Sequence, residues 1–262
     1  LISESKKLFG VLHDEGKQFV KKGIQNYLQK QSKRYSYIKT ILRGNTPVFF
    51  YEVYYHLNIE QNDKTFETRS ISSIFEISRC ITIIGEAGSG KSTLSKHLFL
   101  NSIIEKYAIP IFIELRNIEK GRAALEKYIK TTIFSNDLAA NSDILERLLK
   151  QGRFVVFLDG YDEISTETKR DVVNGINDFI NKYGDNKYIL TTRPYSDIDL
   201  LPLFHNYQIC SLSIQSNDIE NFIDLQLNDE LELADRIKES IRSGNQTYTC
   251  LLYTSPSPRD SM

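Results

Sequence analysis

The segment IIGEAGSGKST, Ile83 to Thr93, constrains this chain more than any other. A short apolar run breaks into glycine at positions 85, 88 and 90 and ends in Lys91-Ser92, the spacing GxxxxGK[ST]. Glycines let successive backbone N–H groups converge on phosphate oxygens with no side chain in the way. A helix starting near Lys91 would aim the positive end of its dipole at the same point. Lys91 is then placed to reach β- and γ-phosphates. The Ser92 hydroxyl is placed to ligate a Mg²⁺ that bridges them, a role Thr93 is one residue too late to take. The candidate nucleotide contacts are therefore Gly85, Glu86, Ala87, Gly88, Ser89, Gly90, Lys91, Ser92 and Thr93. The competing reading is a plain glycine turn, which needs neither a strand before it nor a helix after it.

The surroundings supply both. From Cys80 onward, short apolar runs alternate with helical segments, the pattern of an α/β domain with a mainly parallel sheet. Ile81–Ile84, Ile109–Leu115, Phe154–Leu158, Tyr188–Thr191 and Tyr207–Leu212 read as strands. Helices are predicted at about Ser92–Ile104, Glu119–Phe134, Asp143–Lys150 and Glu167–Tyr183, with Gly152 and Gly184 as stops. The expected fold is a three-layer α/β sandwich of the P-loop NTPase type, preceded by basic amphipathic helices.

Two further strand ends carry chemistry. RFVVFLDGYDE, Arg153 to Glu163, is an apolar strand that ends in Asp159, and in an open α/β sheet ligands bind at the carboxyl edge. Asp159 is the candidate metal carboxylate. Asp162 and Glu163 lie just beyond it, and Glu163 is the preferred general base for an attacking water. Read alone, the segment is equally an ordinary acidic loop. KYILTTRPYSD, Lys187 to Asp197, ends in Thr191, Thr192 and Arg193 before a proline. A hydroxyl and a guanidinium there suit recognition of a γ-phosphate. The plainer alternative pairs Arg193 with Asp197.

Ahead of the loop, Leu8, Val11, Leu12, Phe19, Val20, Ile24 and Leu28 fall at helical spacing, so one or two amphipathic helices are expected before Gly44. Lys22, Lys30, Lys33, Arg34, Lys39 and Arg43 are among the cations that outnumber acids there, and a solvated helix face is preferred over a nucleic-acid or anionic-lipid surface. TPVFFYEVYYHLNI, Thr46 to Ile59, is aromatic and β-branched and reads as a strand, and EQNDKTFETRS as a polar connector. Whole-chain charge is close to balanced, 33 Lys and Arg against 34 Asp and Glu, which gives no general attraction to nucleic acid. Cys80, Cys210 and Cys250 lack metal or disulfide spacing, and no apolar run approaches the roughly 20 residues of a membrane span, so a cytoplasmic location is expected. The only methionine is Met262, so Leu1 is expected to lie within a longer reading frame. CLLYTSPSPRD, Cys250 to Asp260, resembles a translated sequencing adaptor, and native chain is expected to continue past Thr249.

Taken together, IIGEAGSGKSTL, IPIFIELR (Ile109 to Arg116), FLDGYDE with its small Gly160, LTTRP and SLSIQSNDIENFI (Ser211 to Ile223) resemble the NACHT domains of the STAND class of signalling NTPases. YIKTILRGNTPVFFYEVYYHL, from Tyr37, is similar to the approach to the NTPase core in bacterial members. The resemblance runs from about Pro47 to Leu225. It implies a NACHT domain over residues 46–215, a helical linker or effector remnant at 1–45, and the start of a further helical region at 216–249, with 250–262 set aside as adaptor. It implies that the strand carrying Arg193 lies between the phosphate-loop strand and the strand ending in Asp159. It also implies a switch that rests with ADP, exchanges it for ATP with Mg²⁺ when a C-terminal sensor meets an unknown trigger, and forms a homo-oligomer that activates an effector, in innate or antiphage defence. Lys91 and Ser92 would hold phosphate and metal, Asp159 the metal, Asp162 and Glu163 would support hydrolysis, and Arg193 would sense phosphate. The winged-helix region, whose histidine in many members contacts the resting nucleotide, would begin near or after Thr249, so no counterpart is assigned; His97 and His205 read as ordinary helix or loop residues.

Other functions compatible with a phosphate loop are an AAA+-like motor or loader acting on nucleic acid or protein, a small-molecule kinase, and a non-hydrolysing nucleotide-gated scaffold. The Gly160 motif and IPIFIELR weigh against the motor, and the paired acids suit water activation better than transfer to a metabolite.

Overall fold

A computed structural model describes residues 15–40, 42–76, 78–121, 123–134, 142–194, 197, 200–212 and 217–243; the first part of the basic region and the adaptor-like tail fall outside the described residues. In chain order the elements are α1 (Glu15–Tyr35), β1 (Tyr37–Ile38), β2 (Val48–Phe49), α2 (Phe50–Val53), β3 (Ile59–Gln61), β4 (Lys64–Phe66) and α3 (Ile71–Phe75). The α/β alternation follows with β5 (Cys80–Ile84), α4 (Lys91–Ile104), β6 (Ile109–Glu114), α5 (Ala124–Phe134), α6 (Ser142–Lys150), β7 (Phe154–Asp159), α7 (Thr166–Lys182), β8 (Lys187–Thr192) and β9 (His205–Ile209). Helices α8 (Asp218–Gln226) and α9 (Leu231–Ser243) close the described chain.

The main sheet has seven strands in the order β4-β3-β9-β5-β8-β7-β6. From β9 to β6 the pairing is parallel, and only the β3-β4 hairpin joins antiparallel at one edge. As expected, β8 lies between β5 and β7. The step from β5 to β6 crosses the sheet in one direction, and the steps β6 to β7 to β8 return in the other. Right-handed crossovers therefore put α4 on one face and α5 to α7 on the opposite one. The strands are continuous Val, Ile, Leu and Phe runs because both faces are covered; in β7, Phe154 to Leu158 are all buried.

β6 is an edge strand, and its chemistry fits that place. The backbone N–H of Phe112 points outward and donates to the Tyr27 hydroxyl on α1 at 2.8 Å. Pro110, two residues earlier, has its ring nitrogen on the same side, where the sheet requires no donor. α1 packs against α4, α5 and α6 and buries Ile24, Tyr27, Leu28 and Tyr35. The exposed residues on its described length include Lys22, Lys30, Lys33 and Arg34, so the basic face is its solvent face.

Between α1 and β5 the structure departs from expectation. Thr46–Ile59 is not one strand. Val48–Phe49 pairs with Tyr37–Ile38, and the chain then turns helical over Phe50–Val53. Phe50 and Val53 are buried on this short helix, and Tyr54 and Leu57 just beyond it are buried too, so burial along the segment overrides the strand preference of the residue types. Two of the sheet's strands, β3 and β4, come instead at the end of that run and in the polar connector. They are joined by Asn62-Asp63, both at positive φ (49° and 61°), the geometry of a tight hairpin turn.

Candidate functional site

The carboxyl ends of β5, β7 and β8, with the neighbouring end of β6, meet in an open cleft of about 550 Å³. Its lining includes Lys91, Ser92, Asp159, Asp162, Glu163 and Arg193, so the residues singled out on three separate strand ends converge on one space. The floor is the loop Gly85–Gly90 leading into α4. Gly88 and Gly90 have φ of 76° and 91°, a left-handed conformation that glycine adopts without strain, and α4 starts directly after Gly90. A Cβ on Gly85 would collide with the Ser89 hydroxyl. The Lys91 ammonium folds back over the loop, donating to the carbonyls of Gly85 at 2.6 Å and Glu86 at 2.8 Å. Burial pushes the Lys91 ammonium below its usual range, opposed by the nearby carboxylates of Asp162 and Asp159.

Opposite the loop, the Ser92 hydroxyl faces the Asp159 carboxylate at 3.3 and 3.5 Å. Asp159 also accepts from the Thr191 hydroxyl at 2.6 Å, and that hydroxyl accepts from the Gly160 N–H at 2.9 Å. Burial raises the Asp159 carboxyl above its usual range, with the Thr191 and Ser92 hydroxyls acting the other way. A half-buried carboxylate facing a serine hydroxyl, with the glycine loop alongside, is a donor set that suits Mg²⁺, which takes few protein ligands and completes its shell with water and phosphate oxygens. Among the described residues, no group of three or more His, Cys, Asp or Glu side chains forms an all-protein metal cage.

The two acids after Gly160 lie on a 3₁₀ turn, Tyr161–Glu163, entered through Gly160 at φ 79°. Each has an arginine. Asp162 pairs with Arg193 through Nε at 3.0 Å and accepts from the Arg193 N–H at 3.1 Å. Glu163 pairs with Arg116 at 3.1 Å. The suggested partner of Arg193, Asp197, is instead held by Lys169 at 2.8 Å. Thr191 lines the cleft with its hydroxyl donating to Asp159, whereas Thr192 is buried and does not line it. His97 is buried in α4, stacked on Tyr54 with ring centroids 4.5 Å apart, and packs away from the cleft as an ordinary helix residue. His205 begins β9 and is exposed.

Sequence reading alone gave Arg116, Glu114 and Lys96 no role. Lys96 lies one turn after Ser92 on α4 and lines the cleft. Its i+4 spacing from Ser92 was the available signal. Beside the loop, a smaller hollow of about 180 Å³ runs between Leu57, Gly85, Pro194, Ile209 and Leu212.

A parallel sheet with a phosphate loop between its central strand and the following helix defines a P-loop nucleotide-binding fold. Within that class, the NACHT domain family model matches residues 79–221, more than half of the chain, and the chain belongs to the NACHT family. No curated protein matches it. Among solved structures it is similar to a signal transduction ATPase with numerous domains, carrying a tetratricopeptide repeat sensor, from Pyrococcus horikoshii. That match has 15% identity and a TM-score of 0.41, over 79% of this chain and 32% of the other. It is also similar to PCH-2 of C. elegans, at 16% identity and TM-score 0.34 over 71% and 49% of the two chains. Drosophila ORC bound to DNA and Cdc6 matches at 8% identity and TM-score 0.40 over 82% and 36%. The chain thus spans about a third to a half of the length of these structures. No described helix is long and apolar enough to cross a membrane.

Proposed function

We propose that this chain is the nucleotide switch of a cytoplasmic NACHT-type signalling ATPase. In this reading ADP marks the resting state and ATP with Mg²⁺ the active one, and exchange lets copies of the chain assemble and engage an effector in innate or antiphage defence. The trigger acts through a sensor beyond these residues. The observation that carries the reading is the convergence of Lys91 and Ser92 with Asp159, Asp162, Glu163 and Arg193 on one cleft, with Ser92 facing Asp159 at 3.3 Å. The loop amides and Lys91 bind the phosphates, and the adjacent apolar hollow beside Pro194 and Leu212 accepts the base. Ser92 and Asp159 would hold Mg²⁺, which when bound offsets charge on the β- and γ-phosphate oxygens. Glu163 accepts the proton of the attacking water, and Arg193, drawn by Asp162 to the mouth of the cleft, meets the terminal phosphate.

The test is thermal melting and equilibrium binding with Mg-ATP and Mg-ADP, with phosphate release followed in the same samples. Ligand at about a hundred times Kd should stabilise the wild type by about 2.7 kcal/mol and leave Lys91→Ala unchanged. Equal ATP affinity in wild type and Lys91→Ala would remove the phosphate-loop assignment. Glu163→Gln should bind ATP as the wild type does and lose about a hundredfold or more in turnover; undiminished phosphate release would remove Glu163 as the base.

A further inference from the structure

We infer that Arg116 is the positioning residue for Glu163, the device that fixes the carboxylate at the angle from which it takes a proton from water. The inference rests on the reading of Glu163 as the base. Arg116 stands on the 3₁₀ turn Leu115–Asn117 that follows β6, and this turn packs against the one bearing Glu163. One end of its guanidinium, Nη1, lies 3.1 Å from Glu163 Oε2, and the other, Nη2, lies 2.8 Å from Glu114 Oε2.

Glu114 is a firm anchor. It is the residue in register with Asp159 on the neighbouring strand. Its Oε2 also accepts from Asn117 Nδ2 at 3.3 Å, while Oε1 lies 3.5 Å from Arg34 of α1. The planar fork therefore runs from a point beside the metal carboxylate to the base, and such a fork fixes direction as well as distance. Glu163 also runs close past Gly160, where a Cβ would lie 3.4 Å from its Cγ and Cδ and 3.5 Å from Oε2, so the glycine leaves the carboxylate room to reach Arg116. Arg116 occupies Oε2, which leaves Oε1 to face a water. Arg116 and Glu163 are 46% and 41% exposed, and an ion pair that open adds little to stability. A role in orientation separates cleanly from a role in folding for that reason.

The test measures single-turnover phosphate release from Mg-ATP, ATP affinity and melting temperature for wild type, Glu163→Gln, Arg116→Gln, Arg116→Lys and the double variant Arg116→Gln/Glu163→Gln. Arg116→Gln should slow phosphate release by about tenfold to a hundredfold, the effect of a small misplacement of a catalytic group. Its ATP affinity should stay within about threefold and its melting temperature close to wild type. Arg116→Lys should recover part of the rate, and the double variant should be no slower than Glu163→Gln alone. Wild-type release by Arg116→Gln, a further slowing in the double variant, or a parallel loss of ATP affinity would each overturn the inference while leaving Glu163 as the base. Undiminished release by Glu163→Gln, or none from the wild type, would overturn the reading beneath it and the inference with it.

Discussion

The Thr191 hydroxyl does two jobs within 3 Å: it donates to Asp159 and accepts from Gly160. It thereby sets the Asp159 carboxylate and the backbone of the turn that carries Asp162 and Glu163. Thr191→Val keeps the shape but leaves the half-buried Asp159 carboxylate short of one donor and the Gly160 N–H without its acceptor. Loss of about 1–3 kcal/mol in unfolding free energy is expected, with weaker Mg²⁺ dependence of nucleotide binding. A variant equal to wild type in both would show the hydroxyl to be incidental. Nothing in the letters of LTTRP separates this threonine from Thr192 next to it. Strand alternation separates their faces, but only the register of β8 beside β7 shows that Thr191 reaches Asp159. The same limit explains why Arg193 could not be paired in advance: Asp162, not the nearer-in-sequence Asp197, is its neighbour once the strands are laid side by side.

At the scale of elements, α4 is joined to the segment before β5 by an aromatic cluster. His97 stacks on Tyr54, lies 3.3 Å from the Tyr51 hydroxyl and 3.1 Å from the Thr68 carbonyl, and has His56 at its edge. Burial, and to a lesser degree His56, lowers its pKa from 6.5 to about 4. The unfolded chain therefore holds more protons at this site than the native one between about pH 6.5 and 4, so stability falls as pH drops through that window. The whole effect is up to about 3 kcal/mol. Urea midpoints from pH 7 to 4 should show it, and His97→Gln should flatten it; an unchanged slope in His97→Gln would assign the pH dependence elsewhere. The long elements of the α/β part were legible because apolar runs, glycine stops and helical spacing agree in β5 to α7. The approach segment was not, because its aromatic residues suit a strand by type and a short helix by spacing. Tertiary burial of Phe50, Val53, Tyr54 and Leu57 decided between them. The hairpin around Asn62-Asp63 was within reach of the sequence, since those two residues tolerate positive φ.

At the scale of the whole molecule, two segments far apart in sequence are clasped together. Arg43 donates to the Gln226 carbonyl at the end of α8 and to Asn228, and pairs with Asp229 at 2.7 Å. Gln226 donates to the Val53 carbonyl at 2.6 Å, and the Tyr55 hydroxyl donates to Asp218 at 2.9 Å. α8 and α9 have a small apolar core of their own, around Phe222, Ile223, Leu227 and Ala234, so the clasp sets where this helical pair rests. Arg43→Gln should lower the unfolding free energy by about 1–3 kcal/mol. Amide exchange should quicken in α8 and α9 while β5, β7 and β8 keep their protection; uniform exchange across both regions would show that the pair unfolds with the sheet rather than ahead of it. Register between distant strands, and clasps between distant segments, depend on packing in three dimensions, which is why the site's partners were less legible than its members.

The hydrogen bond from β6 to Tyr27 of α1 also bears on how copies of the chain could meet. A strand edge with free donors invites another strand, in any copy, to join it. Here Pro110 offers none and the Phe112 N–H is spent on Tyr27, so neither of these outward positions offers a donor to another strand, and any assembly of copies would use other surfaces. Cutting the chain after Tyr27 would free the Phe112 N–H. The expected result is clumping driven by the exposed edge rather than a smaller working switch, and light scattering on the shortened chain would register it.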